Sequence, residues 1–254
     1  SDKKNGDVLH GNNEVTATFK LEAKNSVMYN LNGIIVSDSH IVKYNDKWIP
    51  VSECPEAVKY AAYEKPYLYC LNTANKTIEI DGITFTDWDE IYDDDIKEIR
   101  NNGVVKIDQL GDIHRYFDGG FVGTTKIKLE NGQVKDIRDV QVDDILERGE
   151  NVYGIVKING ANVNEQAKYN LGKNAFVEGG PNLAICDRNI LVKSTIYLGR
   201  NNKQNLAEKH DELYHLLTDT KTFYVDKVKV YDYNAAIDLF LVKNKGKLLS
   251  MKYV

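Results

Sequence analysis

An all-β architecture, built twice over within one chain, is what the 254 residues predict. Three observations point there: short runs of alternating β-branched residues, tight-turn dipeptides between them, and two pairs of segments that repeat in the same order. The length is enough for two domains and a sizeable core.

The strand runs are residues 14–19 (EVTATF), 33–37 (GIIVS), 77–80 (TIEI), 126–129 (KIKL) and 227–231 (KVKVY). Period-two alternation of β-branched residues fits strands with one face buried. Asn5-Gly6, Asn32-Gly33, Asp81-Gly82, Asn131-Gly132 and Asn159-Gly160 punctuate the runs. Such dipeptides tolerate positive φ and favour tight hairpins. Helix signals are sparse. Residues 87–102 (DWDEIYDDDIKEIRNN) place acids first, then Lys97 and Arg100, with Gly103 just beyond. That order suits a helix dipole and a glycine stop. Residues 55–63, opened by Pro55, read as a short helix, and 202–212 as helix or loop. Residues 91–118 read as a short helical linker between the two halves.

The repeat organises the rest. Residues 6–19 (GDVLHGNNEVTATF) match 143–156 (DDILERGENVYGIV), and 68–88 (LYCLNTANKTIEIDGITFTDW) match 213–233 (LYHLLTDTKTFYVDKVKVYDY) without a gap. Each half must therefore bury much the same set of strands. Only the second half carries a segment, 121–137, ahead of its repeat. The first copy begins where that segment should end, so a longer polypeptide is expected upstream. A strand edge or core face of the first half is then expected to be covered by the second.

Composition narrows the function. Net charge is -5 and no basic stripe is visible, so no nucleic-acid surface is expected. The basic residues of 243–247 read as part of a solvated tail, 243–254. Cys54, Cys70 and Cys186 are odd in number and far apart, which supports neither a disulfide framework nor a zinc site. A reducing compartment, cytoplasm or virion, is expected. No run of about 18 apolar residues exists, so no membrane span is expected. No metal, cofactor or small-molecule partner is called for.

Residues 120–132 (GFVGTTKIKLENG), continued by Val134-Lys135-Asp136-Ile137 and Val142-Asp143-Asp144-Ile145-Leu146, resemble the opening motif of Hint (Hedgehog/intein) domains. Counting both copies, the resemblance implies two tandem intein-like horseshoe modules, 1–90 and 119–242. It also implies autocatalytic peptide-bond rearrangement: self-cleavage or protein splicing, with a host polypeptide in cis. That chemistry uses a thiol or hydroxyl at the first position, a histidine in a T-x-x-H motif, and a closing Asn followed by Cys, Ser or Thr.

Carried over residue by residue, Gly120 takes the nucleophile position and has no side chain. Asn234 is the candidate closing residue, and Ala235 after it cannot accept an acyl group. Val192-Lys193-Ser194-Thr195 lies in the expected region of T-x-x-H without a histidine. His215 stands where an acid is common and reads as a partly buried structural residue. In the first half, Ser37-Asp38-Ser39-His40 fits S/T-x-x-H, making His40 the amide-polarising residue with Ser37 beside it. Cys70 is a candidate branching nucleophile or a small buried hydrophobe, Trp48 reads as core, and Cys54 and Cys186 as structural. Residues 87–89 (DWD) contain no Asn, so Asn cyclisation is not expected there. The expected function is thus an autoprocessing region in an inactive or post-cleavage form. The alternative is a degenerate Hint scaffold acting as a structural or interaction module, for example of a viral or phage particle, with self-association.

Overall fold

The computed structural model describes residues 3–61, 63–92, 97, 119–163, 165–172, 174–187, 191–194 and 203–245. Strands dominate. The first half opens with β1 (Val8–Leu9) and the long β2 (Asn13–Glu22), then β3 (Met28–Leu31) and β4 (Ile34–Ser37). There follow β5 (Ile41–Tyr44), β6 (Lys47–Pro50), β7 (Ala57–Tyr60), β8 (Tyr67–Thr73), β9 (Thr77–Ile80) and β10 (Ile83–Thr86). The second half begins with β11 (Phe121–Val122), β12 (Lys126–Lys128) and β13 (Val134–Asp136). It continues through the long β14 (Val152–Asn159), β15 (Ala167–Gly172), β16 (Ala175–Gly179), β17 (Ala184–Asp187) and β18 (Leu191–Ser194). It ends with β19 (Lys203–Asn205), β20 (Glu212–Thr218), β21 (Thr222–Val225), β22 (Val228–Tyr231) and a helix, α1 (Tyr233–Lys245).

The registers of the two halves coincide. Phe19 pairs with Cys70 as Val156 pairs with His215, and each long strand bulges at the same place, after Val15 and after Val152. Phe85 pairs with Val42 as Val230 pairs with Ile185. The Thr73 N–H donates to Asp87 Oδ2 at 3.0 Å, and the Thr218 N–H donates to Asp232 Oδ2 at 3.0 Å. A bulge is a local disruption of the ladder that must be encoded, so its recurrence is evidence for one pattern used twice.

β2 and β14 then pair with each other, antiparallel, with Phe19 opposite Val156. These two residues are the same position of the repeat, so the pairing is centred on an approximate twofold axis. Thr18 faces Lys157 and, symmetrically, Lys20 faces Ile155. Alternate residues of β2, among them Val15, Ala17, Phe19 and Leu21, are buried, as period-two patterning requires. Around the joint, Phe19 stacks on Trp88 with ring centroids 4.9 Å apart and meets Tyr233 edge-on at 5.3 Å. Trp88 and Tyr233 are again repeat equivalents. One nine-stranded sheet therefore runs through both halves.

Several local expectations are corrected. Ala57–Tyr60 is a strand on β3, not part of a helix after Pro55, because the free edge of Met28–Leu31 takes its backbone hydrogen bonds. Residues 87–92 are a turn and irregular chain, since Asp87 and Asp89 are drawn into a buried ion network. Except for residue 97, the remainder of 87–102 lies outside the described residues, as do 93–96 and 98–118 of the expected linker. Lys203–Asn205 is a strand on β15. Asn32-Gly33 and Asp81-Gly82 make hairpins with both residues at positive φ. Asn159-Gly160 does not: it enters a 3-10 turn in which Asn159 Oδ1 accepts from the Ala161 N–H. A Cβ on Gly160 would sit 2.3 Å from the His210 carbonyl oxygen, so that glycine serves close approach rather than a hairpin. Helix α1 covers residues read as a closing motif and the start of a tail. Asp232 caps it, Oδ1 accepting from the Ala235 N–H at 2.8 Å.

Candidate functional site

The two halves present the same place in two states. In the second half, β11 is inserted between β16 and β20: Phe121 faces Gly179 on one side and Tyr214 on the other, and Val122 faces Leu213. The Phe121 ring is fully buried, 5.3 Å from His215 and 5.9 Å from Phe223. This insertion joins β15, β16 and β19 to the large sheet.

Gly120, the nucleophile position of the resemblance, is packed shut. A Cβ there would lie 2.5 Å from Leu213 Cβ and 3.1 Å from Ile158 Cδ1. Its neighbour Gly119 rests on the backbone of the 180–183 turn, where a Cβ would come within 2.7 Å of the Asn182 carbonyl oxygen. That turn, between β16 and β17, is the counterpart of the turn carrying His40. Counting back two residues from the equivalent pair Val42 and Ile185, Leu183 stands where His40 does, and it is buried and apolar. Residues 192–194, in contrast, belong to β18, the outer strand of the next hairpin. We predict that Gly120→Cys costs roughly 1–3 kcal/mol through overpacking and restores no cleavage. Urea unfolding and intact-mass measurement of that variant check both parts; a stable, self-cleaving variant would contradict them.

Asn234 and Ala235 are not assembled with Gly120. They lie in α1, anchored through Asp232 to Thr218, whereas Gly120 packs on Leu213 at the other end of β20. Five residues of strand, roughly 17 Å, separate those anchors. The Asn234 side chain is used across the joint: Oδ1 accepts from Trp88 Nε1 at 2.8 Å, and Nδ2 donates to the Tyr153 hydroxyl at 3.3 Å. Ala235 is buried.

His215 is a core residue, 2 % exposed among Phe121, Phe223 and Tyr233, with Nδ1 accepting from the Leu216 N–H at 3.0 Å. Burial lowers its pKa to about 4, against a weaker opposing pull from the Leu216 backbone. An unfolded histidine takes up its proton near pH 6.5. The stability tied to neutral His215 is therefore intact above pH 6.5 and lost as the pH falls towards 4, on the order of 3 kcal/mol. Compared with His215→Leu, the wild type should lose that much between pH 7 and pH 4 in denaturant titrations. A pH-independent gap would contradict this placement.

Among the described residues the first half has no counterpart of β11. Here β4 belongs to a separate sheet with β3 and β7, while β8 pairs with β2; between β4 and β8 lies a cavity of about 230 Å³. Ser37, His40 and Cys70 all line it, so the three candidates read from the first half are brought together. The His40 ring lies 5.8 Å from Phe85. Burial holds its pKa down to about 4, with a smaller opposing effect of a hydrogen bond to the Thr86 backbone, so it is a neutral imidazole at physiological pH. Burial likewise pushes the Cys70 thiol up to about 12, only partly offset by its contact with the Leu71 carbonyl. Cys70 is thus a thiol and a weak nucleophile. None of the three cysteines is in a disulfide; Cys54 is core, and Trp48 packs beside Tyr92.

A group that the sequence reading did not single out lies beneath β8. Lys76, 1 % exposed, binds Asp87 Oδ2 at 3.2 Å and Asp89 Oδ2 at 2.5 Å. Asn72 Nδ2 donates to Asp89 Oδ1 and to the Tyr233 hydroxyl, tying the network to the second half. Burial opposes the Lys76 charge, but the two carboxylates outweigh it and raise its pKa. The signal was present in the repeat, where Thr73, Lys76, Thr77 and Asp87 recur as Thr218, Lys221, Thr222 and Asp232.

Among the described residues no helix is long and apolar enough to cross a membrane, and no group of three or more His, Cys, Asp or Glu is placed to hold a metal ion. The geometry defines an all-β protein made of two copies of one strand pattern about an approximate twofold axis. No family model and no curated protein matches the chain.

Proposed function

We propose that the chain is a degenerate scaffold of the Hint type that performs no self-cleavage and serves as a structural or interaction module. Its two modules span 1–90 and 119–242, joined by 91–118, in a protein of a reducing compartment that associates with copies of itself or with a particle. The observation that carries this reading is the closed nucleophile position: Gly120 has no reactive atom, and the 2.5 Å approach to Leu213 Cβ leaves no place for one. Leu183 in place of a histidine and Asn234 engaged with Trp88 and Tyr153 agree with it.

One observation favours retained chemistry in the first half, namely that Ser37, His40 and Cys70 share a cavity. A thiol held near pKa 12 in the same cavity as a neutral histidine with pKa near 4 makes that reading the weaker one. The test is intact-mass spectrometry of the protein incubated at neutral pH with a thiol or hydroxylamine, which release acyl intermediates. The expected result is the undivided 28.8 kDa chain. A pair of fragments meeting at the Gly119–Gly120 bond would overturn the proposal.

A further inference from the structure

We infer that the cavity of the first half is an open strand slot that binds an extended segment of another polypeptide, small–aromatic–aliphatic in sequence, by β-augmentation. The occupant is defined by the other copy of the repeat. In the second half the slot is filled by Gly120-Phe121-Val122, whose neighbours are Tyr214 and Leu213 on β20, Gly179 on β16, and the His215 and Phe223 side chains. The repeat places Tyr69, Leu68, Val36, Cys70 and Ile78 at the equivalent positions of the first half. All five line the empty cavity. The void is therefore where the Phe121 ring would sit.

The backbone is equally prepared. Among the described residues β4 has no strand partner but β3 and β8 none but β2, with the ends of the β8 edge engaged by the Trp88 N–H on the Leu71 carbonyl and the Tyr63 hydroxyl on the Tyr67 carbonyl, whereas β16 and β20 both bond β11. Free edges flanking an apolar trough take a third strand, main-chain hydrogen bonds supplying affinity and the trough selecting the side chain. Exposure follows occupancy. Ile80 is 41 % exposed, whereas its counterpart Val225, in the filled half, is 5 % exposed. Tyr69 is also left exposed beside the slot. Neither half's slot needs a reactive residue at the Gly120 position. The inference stands on the repeat geometry and not on the Hint assignment, so either can fail without the other.

The probe is a synthetic peptide of residues 119–129 (GGFVGTTKIKL), titrated into the whole protein by calorimetry and by Trp fluorescence, since Trp88 lines the cavity. One-to-one saturable binding is expected, weakened at least about tenfold when the peptide carries Phe121→Ala. The protein variant Cys70→Trp, which fills the slot, should abolish binding while keeping the wild-type circular dichroism. No saturation by about 1 mM peptide, an affinity beyond even weak complexes, would overturn the proposal. So would equal binding of the alanine peptide, which needs no protein variant to interpret, or undiminished binding to folded Cys70→Trp. If the protein alone is a dimer that the peptide dissociates, the occupant is a second copy of this chain and the partner-polypeptide proposal is overturned.

Discussion

Lys76→Met is expected to destabilise the protein by about 3–5 kcal/mol, because it strands buried carboxylates without a counter-ion. Lys76 is enclosed with Asp87 and Asp89, and its ammonium contacts both. An intact buried pair adds little net stability, since desolvation offsets the attraction; removing one partner leaves the full cost on the other. Asp87 gives the effect a pH signature. Burial already raises its pKa above the usual carboxylate range, and Lys76 is the main influence pulling it back. Without Lys76 that pKa rises further. A carboxyl whose folded pKa exceeds its unfolded value near 3.9 contributes fully below that value, and its contribution is lost as the pH rises through the folded pKa. The deficit of Lys76→Met should accordingly shrink on going from pH 7.5 towards pH 4. Urea titrations of both proteins at the two pH values check this. A deficit below about 1 kcal/mol, the range of exposed pairs, would mean that the network is not buried.

Phe121→Ala is expected to cost about 3–5 kcal/mol, the range for truncating a fully enclosed aromatic. Phe121 has no exposed surface, and its ring is held by His215 and Phe223. Its loss would also weaken the strand that joins β16 to β20, leaving the second half as open as the first. The variant should therefore show faster amide exchange in β16 and β20 as well as lower stability. A loss confined to about 1 kcal/mol would indicate that the ring is not the plug of the second half.

The strands were legible because their alternation survives as burial: the residues of EVTATF take turns between core and half-buried positions along β2. The repeat was legible because Leu-Tyr-x-Leu and the Asp-aromatic pair are fixed by what they touch. Asp87 and Asp232 each receive a threonine N–H, and Trp88 and Tyr233 flank Phe19. What escaped depended on partners distant in sequence. Asp87 and Asp89 carry the local signature of a helix start, but Lys76 and Asn72 claim them. Pro55 suggests a helix until β3 supplies an edge. Helix α1 was obscured because Asn234-Ala235 also fits a closing motif, although Asp232 is a sound N-cap. That β14 of the second half would cover an edge of β2, opposite the edge that β8 takes, was not legible, because which edge of a strand is paired depends on a partner distant in sequence.

The pairing of Phe19 with Val156 makes the two copies a single folding unit, and hydrogen–deuterium exchange with residue-level mass spectrometry probes that pairing directly. Amides at the centres of 13–22 and 152–159 should exchange only through global unfolding, with one common free energy and one common dependence on urea. If the first stretch exchanges through its own, lower-energy opening while the second stays protected, the halves fold separately and the joined-sheet description is wrong.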